Sequence, residues 1–505
     1  MTRNLYSFSG GLKLEPHKES TCHIPTRSIS PPKALYLPLQ QHIGATAQPC
    51  VAIGQHVVAG ELIADTPDYV GMRLHAPASG IISSIDNFPV IHPSGLYGRC
   101  IELRPENDAG VQQSEMDRHI RADELQNEPL ATIRERIELA GIVGLGGAGF
   151  PTHVKINEGS TQQVETLIIN GVECEPYITC DDRLIQEFAE EVVAGAKLLS
   201  RTLAASQCII AVEDDMQDAL QALRDNSSDD DIEILSVPAR YPAGSEKQLI
   251  TVLTGKEVPS GLLPINVGIA TVNVATSRAI FRAASEGEPL TRRIVTVTGE
   301  IANPGNVHAM IGTPVQYLLD QCGRFDPRTH RVLGGGPMMG VEIQDTSAPI
   351  TKTTNCLLVI ARDEEAKPPS PCIRCGDCLP VCPVKLQPQQ LYEASRVADV
   401  DVAQDLHLFD CIECGCCSYV CPSKIPLVDY FRFAKSSIEA LDVDRSAADH
   451  ARALYERREY RLSSAETIGA NEEVTLADIS SLDVGQLQGE VRDAVARSAK
   501  RRGEP

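Results

Sequence analysis

Eight cysteines fall into two runs of identical spacing, Cys372-x2-Cys375-x2-Cys378-x3-Cys382-Pro383 and Cys411-x2-Cys414-x2-Cys417-x3-Cys421-Pro422. Such a run binds a [4Fe–4S] cluster. Three closely spaced thiolates wrap one face of the cubane, and the fourth, beyond the x3 gap, serves the other cluster of a two-cluster module. The spacing therefore assigns Cys372, Cys375, Cys378 and Cys421 to one cluster, and Cys411, Cys414, Cys417 and Cys382 to a second. Cys416, the ninth cysteine of the region, stands beside a ligand as a bystander. Structural zinc also favours C-x2-C pairs, but it wants four ligands in two knuckles, not a four-cysteine run repeated twice. Two clusters close together carry single electrons; they do not say where the electrons come from.

A glycine-dense segment could supply that origin. Gly144-Leu145-Gly146-Gly147-Ala148-Gly149-Phe150-Pro151-Thr152 contains the G-x-G-x-x-G spacing. The residues before it read as helix, and Pro151 follows the last glycine, so an ordinary strand–turn–helix dinucleotide loop is not expected. Such a loop still lets backbone N–H groups approach a phosphate or a flat ring closely, and Lys155 could add a cation. The bland alternative is a tight structural turn.

These residues need a frame, and 505 residues are enough for about three to four domains. The 46 Lys+Arg against 68 Asp+Glu give a net charge of −22, which argues against a nucleic-acid partner. Hydrophobic residues at 42% suffice for ordinary cores. The N-terminal residues carry no apolar signal-peptide core. The best apolar run, Leu262 to Ala275, is broken by Pro264, Gly268 and two asparagines, so no membrane span is expected. With 17 cysteines and no export signal, a reducing cytosol is expected, where clustered cysteines mean metal or catalysis.

Residues 35–103 read as short strands between turns, with glycines at 54 and 60 and the turn His75-Ala76-Pro77-Ala78-Ser79-Gly80. The pattern resembles half of a biotinyl/lipoyl barrel-sandwich, but no lysine occurs between Lys33 and Lys155, which excludes a carrier role. Residues 105–129 read as a polar linker or irregular helix, and Leu130–Ala140 has helical period. Strand-like 166–169, 208–212 and 232–237 alternate with helices over 182–205, about 215–225 and about 246–254, a βαβ order that predicts an open α/β sheet. Residues 292–362 turn β-rich around a helix at 313–321, suiting a small α+β domain. Pro368, Pro369 and Pro371 mark a linker. The tail from about 436 is charged and helical in pattern, and 464–505 reads as a mobile end or partner-binding segment.

The glycine segment with Lys155 resembles the flavin loop of the NADH-oxidising flavoprotein subunit of respiratory complex I. Asn170-Gly171-Val172-Glu173-Cys174-Glu175-Pro176 is similar to that family's acidic segment, Tyr241-Pro242-Ala243-Gly244-Ser245-Glu246 to its Tyr/Gly/Glu loop, and Val272-Asn273-Val274 to its asparagine turn. Adding Phe8-Ser9-Gly10-Gly11-Leu12, Gln41-His42-Ile43-Gly44, Gly335-Gly336-Pro337-Met338-Met339-Gly340 and the cysteine module, residues 5–465 resemble the RnfC family of the Rnf ion-translocating electron-transport complexes. Val172 and Ser245 depart from the complex I pattern at acidic positions, which bears on nucleotide contacts more than on flavin.

The resemblance implies a multidomain α/β and α+β chain. It would comprise a barrel-sandwich module (1–104), an α/β FMN/NADH-binding core (130–290), a β-grasp-like domain (291–365), a two-cluster ferredoxin-type module (368–435) and a charged helical tail (436–505). It implies noncovalent FMN, with Gly144, Gly146, Gly147 and Gly149 against it. Lys155 and Asn273 would lie near its phosphate or ring, Glu173 and Glu175 toward the ring or nicotinamide, and Glu246 on the nucleotide side, with Asn170 and Tyr241 in the same loops. A nicotinamide releases electrons in pairs and a cluster accepts one, so a flavin between them is the expected converter. The implied protein is an oxidoreductase subunit on the cytoplasmic face of the inner membrane. It would exchange electrons between NAD(H) and other subunits of the complex, with ferredoxin as an indirect partner, in either direction. At −22, attachment through protein partners is expected rather than attraction to anionic lipid. The alternatives are a diaphorase subunit of a hydrogenase or formate dehydrogenase, and a flavin-less electron-wiring scaffold.

Overall fold

The computed structural model describes residues 4–92, 95–106, 124–161, 163–227, 232–362 and 368–471. Residues 1–434 form one compact unit and 435–505 another. Among its described residues the first unit holds four sheets. At its centre, Ile232–Val237, Gln207–Glu213, Thr166–Gly171 and Ile269–Asn273 lie side by side in that order, all parallel. Ile169 faces Ile210 on one side and Val272 on the other. Strands covered on both faces read as unbroken apolar runs, which is why 166–169 and 208–212 are legible in the sequence.

The fourth strand, Ile269–Asn273, and the helix after it, Val274–Glu286, lie inside the stretch that reads only as a broken apolar run. Gly268, at φ 76, ends a 3-10 turn just ahead of the strand, and Asn273 caps the helix by accepting from the Ala275 amide at 2.8 Å. A second unanticipated helix, Thr152–Thr161, follows Pro151 directly. A proline just ahead of a helix does not stop it, because its missing N–H would have had no partner there. The glycine segment thus joins helix Leu130–Leu139 to helix Thr152–Thr161, without the preceding strand of a dinucleotide turn.

Helix Cys180–Leu203 runs behind the parallel sheet, burying Leu184, Ile185, Val192, Val193, Ala196, Leu199 and Leu203. Each large apolar side chain among them contributes about 1.5–3 kcal/mol of burial. Toward the N-terminus, Leu35–Pro38, Tyr97–Pro105, Gly80–Pro89 and His56–Val57 form one antiparallel sheet, and Gln48–Pro49, Leu62–Asp65 and Leu74–His75 another. The β-rich region is a six-stranded sheet whose edge strand, Arg27–Ser28, comes from the N-terminal segment and pairs parallel with Gly305–Met310. Helix Leu427–Asn471 starts in the first unit. Most of the linker 105–129 and, within the 464–505 tail, residues 472–505 lie outside the described residues.

Lys352 locks three of these layers together. Its fully buried Nζ donates to the Arg73 carbonyl at 2.8 Å and to the Gly141 carbonyl at 2.7 Å. Burial lowers its pKa from 10.5 to about 7. Between those values the unfolded chain binds a proton that the folded chain releases, so stability rises with pH across that window. Lys352→Met is expected to abolish this slope and to cost about 2–5 kcal/mol through two carbonyls left without donors, as measured by denaturant titration at several pH values.

Candidate functional site

A cavity of about 800 Å³ opens at the carboxyl ends of the parallel strands, where open α/β sheets place their ligands. Its volume lies within the ordinary range for a cofactor site. Of the residues expected around a flavin, Gly144, Gly146, Gly147, Lys155, Asn170, Glu173, Glu175, Tyr241, Glu246 and Asn273 all line it. Gly149 does not. It packs against Thr353 and the Gln41–His42 backbone at φ 68, so it joins the glycine segment to the neighbouring domains.

Most of the polar residues in this wall are already engaged. The Asn170 Nδ2 donates to the Gly244 carbonyl at 2.8 Å while its Oδ1 accepts from the Val172 amide at 3.0 Å. The Lys155 ammonium donates to Glu246 Oε1 at 2.8 Å and to the Thr271 carbonyl at 2.6 Å, so the cation and the acidic residue expected on the nucleotide side neutralise each other. The Glu173 carboxylate accepts from the Asp181 and Asp182 amides at 3.0 and 3.1 Å, capping helix Cys180–Leu203 from outside that helix. Burial raises its pKa, as does the adjacent Asp181 carboxylate. Asn273 Nδ2 donates to Asp181 Oδ2 at 2.6 Å. Glu175 accepts from the Met338 and Met339 amides at 3.2 and 2.9 Å, and burial pushes its pKa up to about 7. The Gly335–Gly340 motif is therefore the cradle of Glu175.

Several other wall residues carry no signal in the sequence. Asp181 sits at the start of a helix whose onset was expected two residues later, and Thr271, Thr351, Thr353, Thr354 and Arg432 lie in segments without a recognisable pattern. The buried Thr271 Oγ1 has no hydrogen-bond partner among the described residues. Gly147, at φ 108, has nothing within 4 Å of where a Cβ would stand. An open glycine backbone, an orphaned hydroxyl and a run of threonines in a cavity of this size fit a flavin mononucleotide.

The cysteines divide spatially. Cys382, Cys411, Cys414 and Cys417 line one small cavity together with Leu386, Leu391, Val428 and Phe431. Cys372, Cys375, Cys378 and Cys421 line another, beside Tyr392 and Leu427. Four thiols on an apolar wall, twice over, suit two iron–sulfur clusters. Cys416 is fully buried and lines the first of these cavities next to its four-thiol set. The two kinds of site adjoin, because Cys414 and Ile412 line both the large cavity and the cavity of the Cys382 set. Tyr241 ties them together, its hydroxyl donating to the Cys414 carbonyl at 2.6 Å. The N-terminal Phe8–Leu12 motif braces the same junction: the Gly11 amide donates to the Val381 carbonyl at 2.9 Å, and Leu12 exchanges backbone bonds with Tyr241 at 2.8 and 2.9 Å.

Known families match this division. Residues 6–108 match the RnfC barrel sandwich hybrid domain, 137–282 the Nuo51 FMN-binding domain, 294–342 the SLBB domain and 369–425 a 4Fe-4S dicluster domain. A chain of an NAD+-reducing [NiFe]-hydrogenase aligns with a TM-score of 0.45 and 19% identity over 59% of this chain and 61% of its own, too slight a likeness to bear on the fold. Among curated relatives, the RnfC subunit of the ion-translocating oxidoreductase complex of Edwardsiella ictaluri is 45% identical over 91% of this chain and 57% of its own length. That of Pseudomonas aeruginosa is 44% identical over 91% and 59%. The chain thus spans less than two thirds of the length of these two. The corresponding subunit of Yersinia pestis bv. Antiqua is 43% identical over 91% of this chain, which covers 74% of that relative. On that identity and coverage, together with the four domain matches in their order, the chain belongs to the RnfC family of ion-translocating oxidoreductase complex subunits.

Proposed function

We propose that this chain is the NAD(H)-linked electron-transfer subunit of a membrane-bound ion-translocating complex. It would hold FMN in the large cavity and one [4Fe–4S] cluster in each four-cysteine set. The observation that carries this reading is the shared wall: Cys414 belongs both to the cavity and to the Cys382 set. FMN, when bound, supplies two-electron exchange with a nicotinamide and one-electron exchange with an iron–sulfur centre. Gly144, Gly146 and Gly147 give it backbone to lie against, and Thr271, Thr351, Thr353 and Thr354 offer hydroxyls to its polar groups. The Lys155–Glu246 pair fixes the loop beside the glycines and leaves little net charge there. Glu175, held by two amides, stays close to the thiol junction. The order of walls makes the Cys382/Cys411/Cys414/Cys417 set the one nearer the flavin and the Cys372/Cys375/Cys378/Cys421 set the farther.

Among the described residues no helix is long and apolar enough to cross a membrane. The proposed place is peripheral, on the cytoplasmic face of the inner membrane, held by other subunits of the complex. NADH or NAD+ is the soluble partner, and a ferredoxin-type pool is reached indirectly. Anaerobically purified protein is expected to carry FMN and about eight irons per chain, and NADH is expected to bleach the flavin band. Protein without flavin, or flavin indifferent to NADH, would reject the reading.

Glu175 adds a pH dependence. Its carboxyl is neutral below about pH 7 and charged above, in a cavity that Asp181 and Glu246 also line. An anionic flavin phosphate entering the cavity meets one more negative charge on the alkaline side. FMN affinity is expected to fall severalfold as pH rises through 7 and to change much less in Glu175→Gln, as read by fluorescence titration of flavin-stripped protein.

A further inference from the structure

The two cysteine runs are repeats offset by 39 positions, and the offset extends beyond the ligands: Ile373 matches Ile412, Arg374 matches Glu413, Gly376 matches Gly415 and Lys385 matches Lys424. The backbone repeats as well. Arg374 and Glu413 share φ 57, Lys385 and Lys424 have φ 57 and 55, and Gly376 and Gly415 have φ 87 and 77. Helices begin at the equivalent positions Pro388 and Leu427.

The surroundings of the two repeats do not match. In the second, this loop face is covered by the flavin core: Ile412 lines the large cavity, the Cys414 carbonyl accepts from Tyr241, and the Met338 carbonyl sits where a Cβ on Gly415 would stand. Within the second repeat itself, Glu413 is paired with Arg432 of the helix that follows, Nε to Oε2 at 2.8 Å; the equivalent of Arg432 in the first repeat is Glu393, which pairs with Arg396 at 3.1 Å. In the first repeat nothing among the described residues covers the same face. Ile373 is 67% exposed and Leu379 54%, Cys375 is exposed, and Gly376 has nothing within 4 Å of its Cβ position. Arg374, which takes the place of Glu413 with opposite charge, is exposed and has no ion-pair partner among the described residues. Lys424 is exposed beside this loop, next to Ser423, whose hydroxyl donates to the Pro371 carbonyl at 3.0 Å. Among the exposed side chains of this face, Arg374 and Lys424 outnumber the loop's single carboxylate, Asp377, on a chain of net charge −22.

We infer that the face formed by Ile373, Arg374, Cys375, Gly376 and Leu379 is the docking surface for a second redox protein. That partner would meet the first repeat as the flavin core meets the second, with a carboxylate facing Arg374 and a one-electron centre behind it. The inference rests on the cluster assignment proposed above. One electron passes per encounter, oxidising one side and reducing the other, with no bond made or broken. The exposed Arg374 and Lys424 set the partner's chemistry, an acidic surface that would pair with them.

A photo-cross-linking residue at Ile373 of the full chain, irradiated in membranes that contain the assembled complex, tests this directly. The expected product is a covalent adduct with another polypeptide that carries its own flavin or iron–sulfur centre. The same probe at Ile53, 65% exposed on the N-terminal domain, is expected not to give that adduct. Arg374→Glu is expected to lower the adduct yield about tenfold, whereas Arg374→Lys keeps most of it. Neither change should alter iron content or NADH-driven cluster reduction in the isolated chain; the repeat itself carries a glutamate at this backbone conformation in Glu413. Adducts only with lipid, with a second copy of this chain or with nothing would overturn the proposal, as would an Arg374→Glu yield equal to wild type. Iron analysis of the wild-type chain tests the cluster reading separately, so the two failures are told apart.

Discussion

Replacing Cys382 and Cys414 together with alanine is expected to leave about four irons per chain, whereas replacing Cys382 and Cys378 together leaves almost none. Each single substitution removes a ligand from one cubane, and a cluster short of a thiolate is easily lost. The two double variants differ only in whether the missing ligands belong to one set. If each run held its own cluster, the outcomes would be exchanged: the Cys382/Cys414 pair would destroy both clusters and the Cys382/Cys378 pair only one. Cys382 lines a cavity with Cys411, Cys414 and Cys417, while Cys378 lines the other with Cys372, Cys375 and Cys421. Iron analysis on anaerobically purified protein, with low-temperature electron paramagnetic resonance to count the remaining centres, reads the result. The surviving centre in the Cys382/Cys414 variant is the one farther from the large cavity. NADH-driven reduction of that centre is expected to fall at least about a hundredfold, because the nearer step of the path is gone.

A pair of glycine substitutions separates backbone strain from steric fit at the junction. Gly415→Ala places a methyl group on the Met338 carbonyl oxygen. Gly376→Ala, at the equivalent position and a similar φ, meets open space. Both incur the left-handed cost of a Cβ, about 1–2 kcal/mol. Only Gly415→Ala adds the overpacking cost, typically about 1–3 kcal/mol. It also pushes the Cys414 loop away from Met338, whose amide holds Glu175. The isolated Gly376→Ala protein is expected to reduce its clusters with NADH at close to the normal rate. Gly415→Ala is expected to reduce them more than about tenfold more slowly while its flavin still bleaches, because a wider gap slows transfer without touching the nicotinamide side. Equal behaviour of the two variants in melting temperature and cluster reduction would show that the Met338 contact does not set the junction.

Much of this architecture is legible in the residues themselves. The parallel strands announce themselves as apolar runs because both faces are covered, and helix Glu246–Thr254 falls where its pattern predicts. The elements that escape are those whose cause lies elsewhere in the chain. Ile269–Asn273 is short and preceded by Pro264 and Gly268, and it becomes a strand by pairing with Thr166–Gly171, about a hundred residues earlier. Helix Thr152–Thr161 is too polar to show an apolar stripe. Glu173 reads as an acidic residue aimed at a ligand, yet its two oxygens cap a helix that starts seven residues later.

The sequence alone determined the chemistry that depends on short spacing. Two residues between cysteines bring thiols to one face whatever surrounds them, so the proposed metal sets and the glycine-dense loop can be read without a fold. Only the tertiary structure decided which faces meet. The Lys155–Glu246 pair, the Glu175 cradle at Met338 and Met339, and the contact of Tyr241 with Cys414 join residues 91, 163, 164 and 173 positions apart. Such contacts arise from packing between layers, to which local spacing contributes no information. The same packing covers the second cysteine repeat and leaves the loop face of the first around Ile373 and Leu379, with nearly the same backbone, exposed.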